Sequence, residues 1–295
     1  MGKIGLRWLC LLLTACLWPA FAAGEAAFGA CRAPADAAYL DLGETQVTDW
    51  PAFFTFLDGF PSLQKVDMFA TPVQKEQIDL LTARYPGVAF GWTIQFAEHT
   101  VRTDATAFST LHLSGAPTHS TETLSVLAYC KQLRALDIGH NYADDLSFIA
   151  ALPELRVLII ACNRFTDLTP LANLKHLEYL EMFSNRVVDI SPLAELPYLA
   201  HLNIGYNDIR DISPLYNMPQ LKRLWMLKAH SRLKAKPLSD ATMATLREAL
   251  PGCEINVTSS PSEGGWRDEA HFAVFHDYFR SGVYRPFADS PLENR

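Results

Sequence analysis

The hydrophobic residues of this 295-residue chain recur in columns along the sequence. Within L-x-x-L-x-L segments, apolar and other residues alternate, which is the period-two pattern of a short β-strand with one buried face. One leucine column returns every 22 residues, and an asparagine column follows it at the same period. The two columns are Leu136, Leu158, Leu180, Leu202 and Leu224, and Asn141, Asn163, Asn185 and Asn207. A fixed period of this length predicts stacked coils, since a single coil cannot bury its apolar face alone.

The asparagine column has a structural interpretation. An asparagine side chain both donates and accepts hydrogen bonds, so it can pair with backbone groups of its own turn and of the neighbouring coil. We therefore expect Asn141, Asn163, Asn185 and Asn207 to form a ladder that holds the coils together.

The clearest copies are LEYLEMFSNRVVDISPLAEL, from Leu177, and LAHLNIGYNDIRDISPLYNM, from Leu199. They resemble the leucine-rich repeat, and DISPL at a 22-residue period is similar to the internalin type of bacterial surface protein. The resemblance implies an α/β fold: a curved solenoid with a parallel sheet on its concave face and mixed 3₁₀, extended and helical returns. It also implies a binding scaffold, and it covers the array but not the tail.

Extending the register in both directions predicts about ten coils with a cap at each end. Outside the regular block, the anchor of the second leucine is expected at Leu40, Val66, Val88, Leu111 and Cys253. Phe272, Phe275 and Phe279 predict an amphipathic helix that lies on the last coil. The expected organisation is a signal peptide at 1–22, an N-terminal cap at 23–37, the solenoid at 38–258 (most regular at 133–228), and a linker with a capping helix and tail at 259–295.

The amino end predicts export. Lys3 and Arg7 precede a short apolar run, and a small-residue pattern ends at Ala22, as in a secretory signal peptide. An alternative interpretation is a lipobox, in which Cys16 becomes the lipidated first residue. Both interpretations place the protein outside the cytoplasm, secreted or associated with the cell envelope.

Residues of the strands that point away from the core are expected to line the concave face, where solenoids usually bind. Several aromatic, apolar and charged residues gather there on adjacent strands, and such residue types are enriched at binding hot spots. The predicted ligand-binding residues are Val157, Ile159, Tyr179, Glu181, Phe183, His201, Asn203, Arg223 and Trp225. The open alternative is that this surface packs against its neighbours or against the C-terminal segment.

Charge and motifs narrow the function. The formal charge of −7, or −9 once residues 1–22 are lost, disfavours a nucleic-acid binder. We expect no catalytic residue, no metal site and no cofactor, although Cys162 beside His140 allows a thiolate–imidazole pair and His112 beside Asp137 allows an ion pair or a metal. The sequence thus predicts a non-catalytic exported scaffold for a protein, a peptide or a glycan. A structural component of the cell envelope is the alternative, and a Cys162-dependent enzyme is the least favoured.

Overall fold

The computed structural model describes residues 26–110, 118–229, 238–268 and 270–292. Within them the chain forms a leucine-rich-repeat solenoid, so the predicted fold class is confirmed. The strands are β1 Ala26–Phe28, β2 Cys31–Ala33, β3 Tyr39–Asp41, β4 Lys65–Val73, β5 Ala89–Phe96, β6 His99–Arg102, β7 Ala107–Ser109, β8 Ala135–Asp137, β9 Val157–Ile159, β10 Tyr179–Glu181, β11 His201–Asn203, β12 Arg223–Trp225 and β13 Glu254–Asn256. The α-helices are α1 Trp50–Leu57, α2 Lys75–Arg84, α3 Thr121–Leu124, α4 Asp240–Ala249 and α5 Ala270–Ser281.

The coils are divided between two sheets. β3, β4 and β5 are parallel, and β6 pairs antiparallel with β5 at the edge of this four-stranded sheet. β7 to β13 form a parallel seven-stranded sheet in chain order. Ten parallel strands, one per coil, are thus present in the described residues. The repeating pattern did not indicate the antiparallel strand β6, because its residues lie between two coils.

The regular coils return through short 3₁₀ helices, as the prolines at Pro192 and Pro214 predicted. The aspartate of the DISPL segment begins each return. Asp189 Oδ1 accepts a hydrogen bond of 2.8 Å from the backbone N–H of Ser191, and Asp211 repeats this contact with Ser213 one coil later. The side chain thereby satisfies a backbone donor at the tight turn.

Two predicted anchors are wrong by two residues. Instead of Val88, Phe90 lies opposite the anchor of β4, and instead of Cys253, Ile255 lies opposite the anchor of β12. A shift of two residues keeps the same face of a strand, which explains why the alternation was still compatible with both positions. At the next coil Phe108 lies opposite Leu136, so the anchor is not the predicted Leu111, which lies outside the described residues.

At the N-terminal end, the antiparallel hairpin of β1 and β2 occupies the segment that was predicted as a cap. The Phe28 ring packs against Phe53 and Phe56 of α1, with centroids 5.1 and 5.6 Å apart. The hairpin therefore supplies apolar contacts to the first coil. The predicted signal peptide and its alternative cleavage at Cys16 lie outside the described residues.

The C-terminal helix is in a different place from the one predicted. After β13 the chain turns back, and α5 packs against β7, at the opposite end of the seven-stranded sheet. Its Phe275 is fully buried, while Phe272 and Phe279 are partly buried in the same cluster. The helix thus lies on the concave face and does not lie on the last coil. The periodicity of the three phenylalanines indicated an amphipathic helix but contained no information on which surface it would cover.

Candidate functional site

The concave face of the regular coils is covered by residues 260–290 of the same chain, which we call the C-terminal segment. Trp266, Phe275, Tyr278, Tyr284 and Phe287 of this segment form a second apolar cluster with the outward residues of the strands. The nine residues predicted to bind ligand are all at most 7% exposed: Val157, Ile159, Tyr179, Glu181, Phe183, His201, Asn203, Arg223 and Trp225. The expectation that these side chains face solvent is therefore wrong. These outward positions are instead buried by a distant part of the same chain, which is the alternative that the sequence left open.

A buried polar centre joins the C-terminal segment to the middle of the face. Glu181 forms an ion pair with Arg267 and also accepts a hydrogen bond of 2.9 Å from Trp266 Nε1. Tyr179 donates its hydroxyl to Glu181 Oε2 at 3.1 Å and accepts from Trp266 Nε1 at 2.5 Å. Burial raises the pKa of the Glu181 carboxyl, and the Arg267 guanidinium acts in the opposite direction. This centre fixes the position of the segment, since a buried charge is stable only with such partners.

Contacts on both sides extend this attachment. Asn203 Nδ2 donates to the carbonyl oxygen of Pro261 at 2.8 Å, at the start of the segment. Near its end, Asp289 Oδ2 lies 3.0 Å from His201 Nε2 and 3.8 Å from Lys222 Nζ. The segment therefore spans the face and is anchored at its start, middle and end.

The asparagine column lies behind the sheet and pairs with backbone groups. In one rung, Asn185 Oδ1 accepts from the N–H of Phe165 in the preceding coil at 3.1 Å, while Nδ2 donates to the carbonyl of Ile160 at 2.9 Å. Asn163 and Asn207 make the corresponding contacts, and Asn141 accepts from the N–H of His119 and donates to the hydroxyl of Thr110. Each asparagine therefore connects two neighbouring coils and has no part in a ligand site.

Outward side chains of the four-stranded sheet remain accessible, with the exception of the buried Asp67. We call Tyr39, Lys65, Asp67, Phe69 and Arg102 the open concave patch. Tyr39 is 50% exposed, and its hydroxyl donates to Asp67 Oδ2 at 2.9 Å. Lys65 Nζ lies 2.9 Å from the same oxygen and 5.2 Å from the Tyr39 ring centre, while the Arg102 guanidinium stacks 3.9 Å from the Phe69 ring centre. The patch presents aromatic surface and the exposed cations Lys65 and Arg102, and tyrosine and arginine recur at binding hot spots.

Asp67 is buried, and its carboxylate holds exposed side chains of the patch in place. Asp67 Oδ2 accepts hydrogen bonds from the Tyr39 hydroxyl and from Lys65 Nζ, whereas Oδ1 has no hydrogen-bond partner among the described residues. The hydrogen bond to Asp67 raises the pKa of Tyr39 to about 12, so this phenol stays protonated as a donor at neutral pH. Asp67 therefore positions the exposed Tyr39 and Lys65 side chains.

A cavity of about 730 Å³ opens beside the patch. It lies between β6, β7 and the end of α5, and its walls include Thr93, Arg102, Asp104, Ser109 and Arg280. Arg102 makes two hydrogen bonds of 2.9 and 2.7 Å to Asp104, which orients its guanidinium between the cavity and the patch. A volume in this range accommodates a small molecule or a few side chains of a peptide.

The geometry gives little support to a Cys162-dependent enzyme. Cys162 and His140 both have positive φ, of 56° and 59°, because they occupy the same turn position in consecutive coils. Burial raises the pKa of the Cys162 thiol, which disfavours the thiolate that a nucleophile needs. Of the alternative metal pair, His112 lies outside the described residues, and Asp137 accepts hydrogen bonds from Ser109 and from the backbone of Gly139.

Sequence reasoning missed the residues that cover the face. Trp266 and Arg267 follow a Ser/Pro/Gly-rich stretch, and neither belongs to a repeat or a motif. The only signal was complementarity: an acidic middle column and an aromatic surface in the array, and an aromatic and basic tail of the same chain.

Comparison with known proteins agrees with the repeat. Residues 153–195 match the family model of leucine-rich repeats, in two copies. Among solved structures, an internalin of Listeria monocytogenes is similar at 22% identity and a TM-score of 0.43, over 70% of this chain and 66% of that protein. Internalin C2 of the same species has 26% identity and a TM-score of 0.36, over 64% and 80%. A leucine-rich-repeat protein of Leptospira interrogans has 15% identity and a TM-score of 0.37, over 76% and 55%.

No curated protein sequence matches the chain. The overall superpositions are loose, and the fold is identified by the in-register parallel strands, the asparagine column and the family match. Residues 153–195 of this chain are therefore leucine-rich repeats, and the coils beside them have the same fold; their 22-residue period resembles that of the internalin type.

Proposed function

We propose that this protein is an exported, non-catalytic scaffold that binds a protein or peptide through the open concave patch and the adjoining cavity. The observation that carries the proposal is the division of the concave face. The regular coils are covered by the C-terminal segment, whereas Tyr39, Lys65 and Arg102 of the patch are exposed beside a cavity. An exposed aromatic and charged surface of this kind is suited to recognition.

The chemistry of the patch indicates the type of ligand. Arg102 stacked on Phe69 favours a planar or aromatic group above the pair, and the exposed Tyr39 ring adds apolar surface. A peptide with an aromatic side chain meets this requirement. A glycan also meets it, since its apolar ring faces stack on aromatic side chains.

The proposal is tested by ligand capture with the mature protein followed by binding measurements on variants. We expect Tyr39→Ala and Arg102→Ala each to weaken binding of the captured ligand at least ~10-fold, since each removes a central contact. Tyr142→Ala is the matched control, because Tyr142 is 54% exposed and also pairs with a cation, Arg164, 4.7 Å from its ring centre. Equal affinity for all three variants and the native chain would exclude the open concave patch.

In a second candidate function, the C-terminal segment is displaced and the nine covered residues then bind a ligand. It is favoured by one observation: Tyr179 and Glu181 already recognise a tryptophan and an arginine through side-chain contacts. A partner with the same pair of side chains would then compete with Trp266 and Arg267. In this case the double variant Trp266→Ala/Arg267→Ala binds the ligand more tightly than the native chain, whereas our first proposal predicts no gain.

Export rests on the pattern of residues 1–22. In the described residues, no helix combines the length and the apolar character needed to cross a bilayer. Mass measurement of the N-terminus of the mature protein distinguishes release after Ala22 from a lipid on Cys16. An unprocessed N-terminus in the native host would contradict export.

A further inference from the structure

Three metal-ligating side chains from two parts of the chain meet where the two sheets adjoin. Glu98 lies in the turn between β5 and β6, His99 is the first residue of β6, and His119 precedes α3. The Nε2 atoms of His99 and His119 are 3.0 Å apart. Glu98 Oε1 lies 3.4 Å from the first and 3.3 Å from the second of these nitrogens. Three potential ligand atoms thus form a nearly equilateral triangle.

We propose that Glu98, His99 and His119 bind a zinc ion, with water at the remaining position. Zinc bonds to nitrogen and oxygen of about 2.0–2.1 Å in a tetrahedron place neighbouring ligand atoms about 3.3 Å apart. The three observed separations of 3.0, 3.3 and 3.4 Å agree with one face of such a tetrahedron. Two imidazoles and one carboxylate also form the donor set of known zinc sites that retain one open position.

The surroundings hold these ligands in place. The backbone N–H of His119 donates to Asn141 Oδ1 at 2.8 Å, and its carbonyl accepts from the N–H of Tyr142 at 2.9 Å, so the ligand is attached to the first rung of the asparagine ladder. Phe96 packs against both imidazoles, with ring centres 5.5 Å from His99 and 6.4 Å from His119. Fixed backbone and apolar packing of this kind orient metal ligands before the ion binds.

The exposure of the three side chains gives the ion a route to the site. His119 is buried at 3%, whereas the side chain of Glu98 is 39% exposed. Glu98 and His99 also line the cavity described above. An ion here would join β6 of the four-stranded sheet to the loop that leads into the regular coils. It would therefore stabilise the junction between the two parts of the array, independently of the proposed ligand binding.

Zinc titration of the chelator-treated mature protein tests this site. Isothermal calorimetry should detect one zinc per chain, and the melting temperature should rise with zinc because the ion binds the folded state. We expect Glu98→Gln and His99→Ala to weaken zinc binding at least ~10-fold each, since each removes one ligand. Glu98→Gln is the decisive variant, because this side chain is partly exposed and its replacement leaves the core intact. His176→Ala, at an exposed histidine elsewhere in the array, is the matched control and should bind zinc like the native chain.

Free cysteines are alternative ligands for the ion, and the described residues include Cys31, Cys130, Cys162 and Cys253. Cobalt substitution distinguishes the proposed site from binding by these cysteines. Cobalt bound by nitrogen and oxygen gives visible bands without the near-ultraviolet charge-transfer band of a thiolate ligand. A thiolate band, or zinc binding that is unchanged in both ligand variants, would overturn the proposal. So would a folded protein that binds no zinc, in which case the three side chains form only a hydrogen-bonded cluster.

Discussion

At the scale of single residues, buried polar side chains set the spacing of the coils. Asn185 reaches both its own coil and the preceding one, with hydrogen bonds to Phe165 N, Ile160 O and Met182 O. These backbone groups lie in the interior, where water cannot replace a lost partner. An asparagine in this column is therefore required by the backbone around it, and the sequence alone was sufficient to predict that role.

Replacing Asn185 by alanine should destabilise the solenoid strongly. Each buried backbone group left without a partner costs about 1–3 kcal/mol, so we expect a loss of about 3 kcal/mol or more in the free energy of unfolding. Urea denaturation measures the loss. Asn173→Ala, at an exposed residue of a 3₁₀ return, is the control and should change the free energy little. A similar small effect for both variants would contradict the ladder.

The burial of Asp137 predicts that the stability of the folded protein depends on pH. Burial raises the pKa of its carboxyl, and its hydrogen bonds with Gly139 N and Ser109 Oγ only partly offset this. The pKa of Asp137 in the folded state therefore lies above its unfolded value of about 3.9. The contribution of Asp137 to the free energy of unfolding is complete below the unfolded pKa, and it is lost as pH rises through the folded pKa. Asp137→Asn removes this dependence.

The melting temperature of Asp137→Asn relative to the native chain should therefore increase between about pH 4 and pH 7. Asp211→Asn should show the opposite trend at lower pH, with its relative melting temperature falling as pH rises toward about 4, since the backbone hydrogen bond from Ser213 lowers the pKa of Asp211. A constant difference in melting temperature between Asp137→Asn and the native chain across this range would contradict a raised pKa of Asp137.

At the scale of elements, the position of a helix on the sheets is decided by which surfaces pack against each other. The apolar stripe of α5 was legible from Phe272, Phe275 and Phe279, whereas its location against β7 depends on contacts between positions more than 150 residues apart. Periodicity describes one element at a time and cannot encode such a pairing. For the same reason the nine concave residues were identified correctly as outward positions, and their burial was not predicted.

The attachment of the C-terminal segment should depend on the ion pair of Glu181 and Arg267. Arg267→Ala leaves a buried carboxylate without its cation, which costs about 3–5 kcal/mol in comparable sites. We expect this loss in the free energy of unfolding, together with faster hydrogen exchange in residues 266–290. Glu181→Gln added to Arg267→Ala should recover part of both effects, because the uncompensated charge is then gone. Independent, additive effects of the two changes would show that the pair is not coupled.

At the scale of the whole molecule, one repeat accounts for ten strands, and two departures from it account for the candidate sites. The antiparallel strand β6 interrupts the array between β5 and β7 and brings Glu98 and His99 to His119. The return of the C-terminal segment divides the concave face into a covered part and the open concave patch. The repeat was visible in the sequence because its signal is multiplied by copies, whereas each departure occurs once and consists of contacts distant along the chain.

The C-terminal segment should lie on the concave face of the regular coils in solution as it does in the structure. Zero-length carbodiimide cross-linking with mass spectrometry tests it most directly, because Lys222 Nζ and Asp289 Oδ2 are 3.8 Å apart although 67 residues separate them. Lys175 and Glu195 have the same 3.8 Å separation on the repeat itself and serve as the internal control. The structure predicts a Lys222–Asp289 cross-link within the monomer, formed about as readily as the control. A sample in which the control pair is cross-linked and Lys222–Asp289 is not would show that the C-terminal segment does not lie on this face in solution.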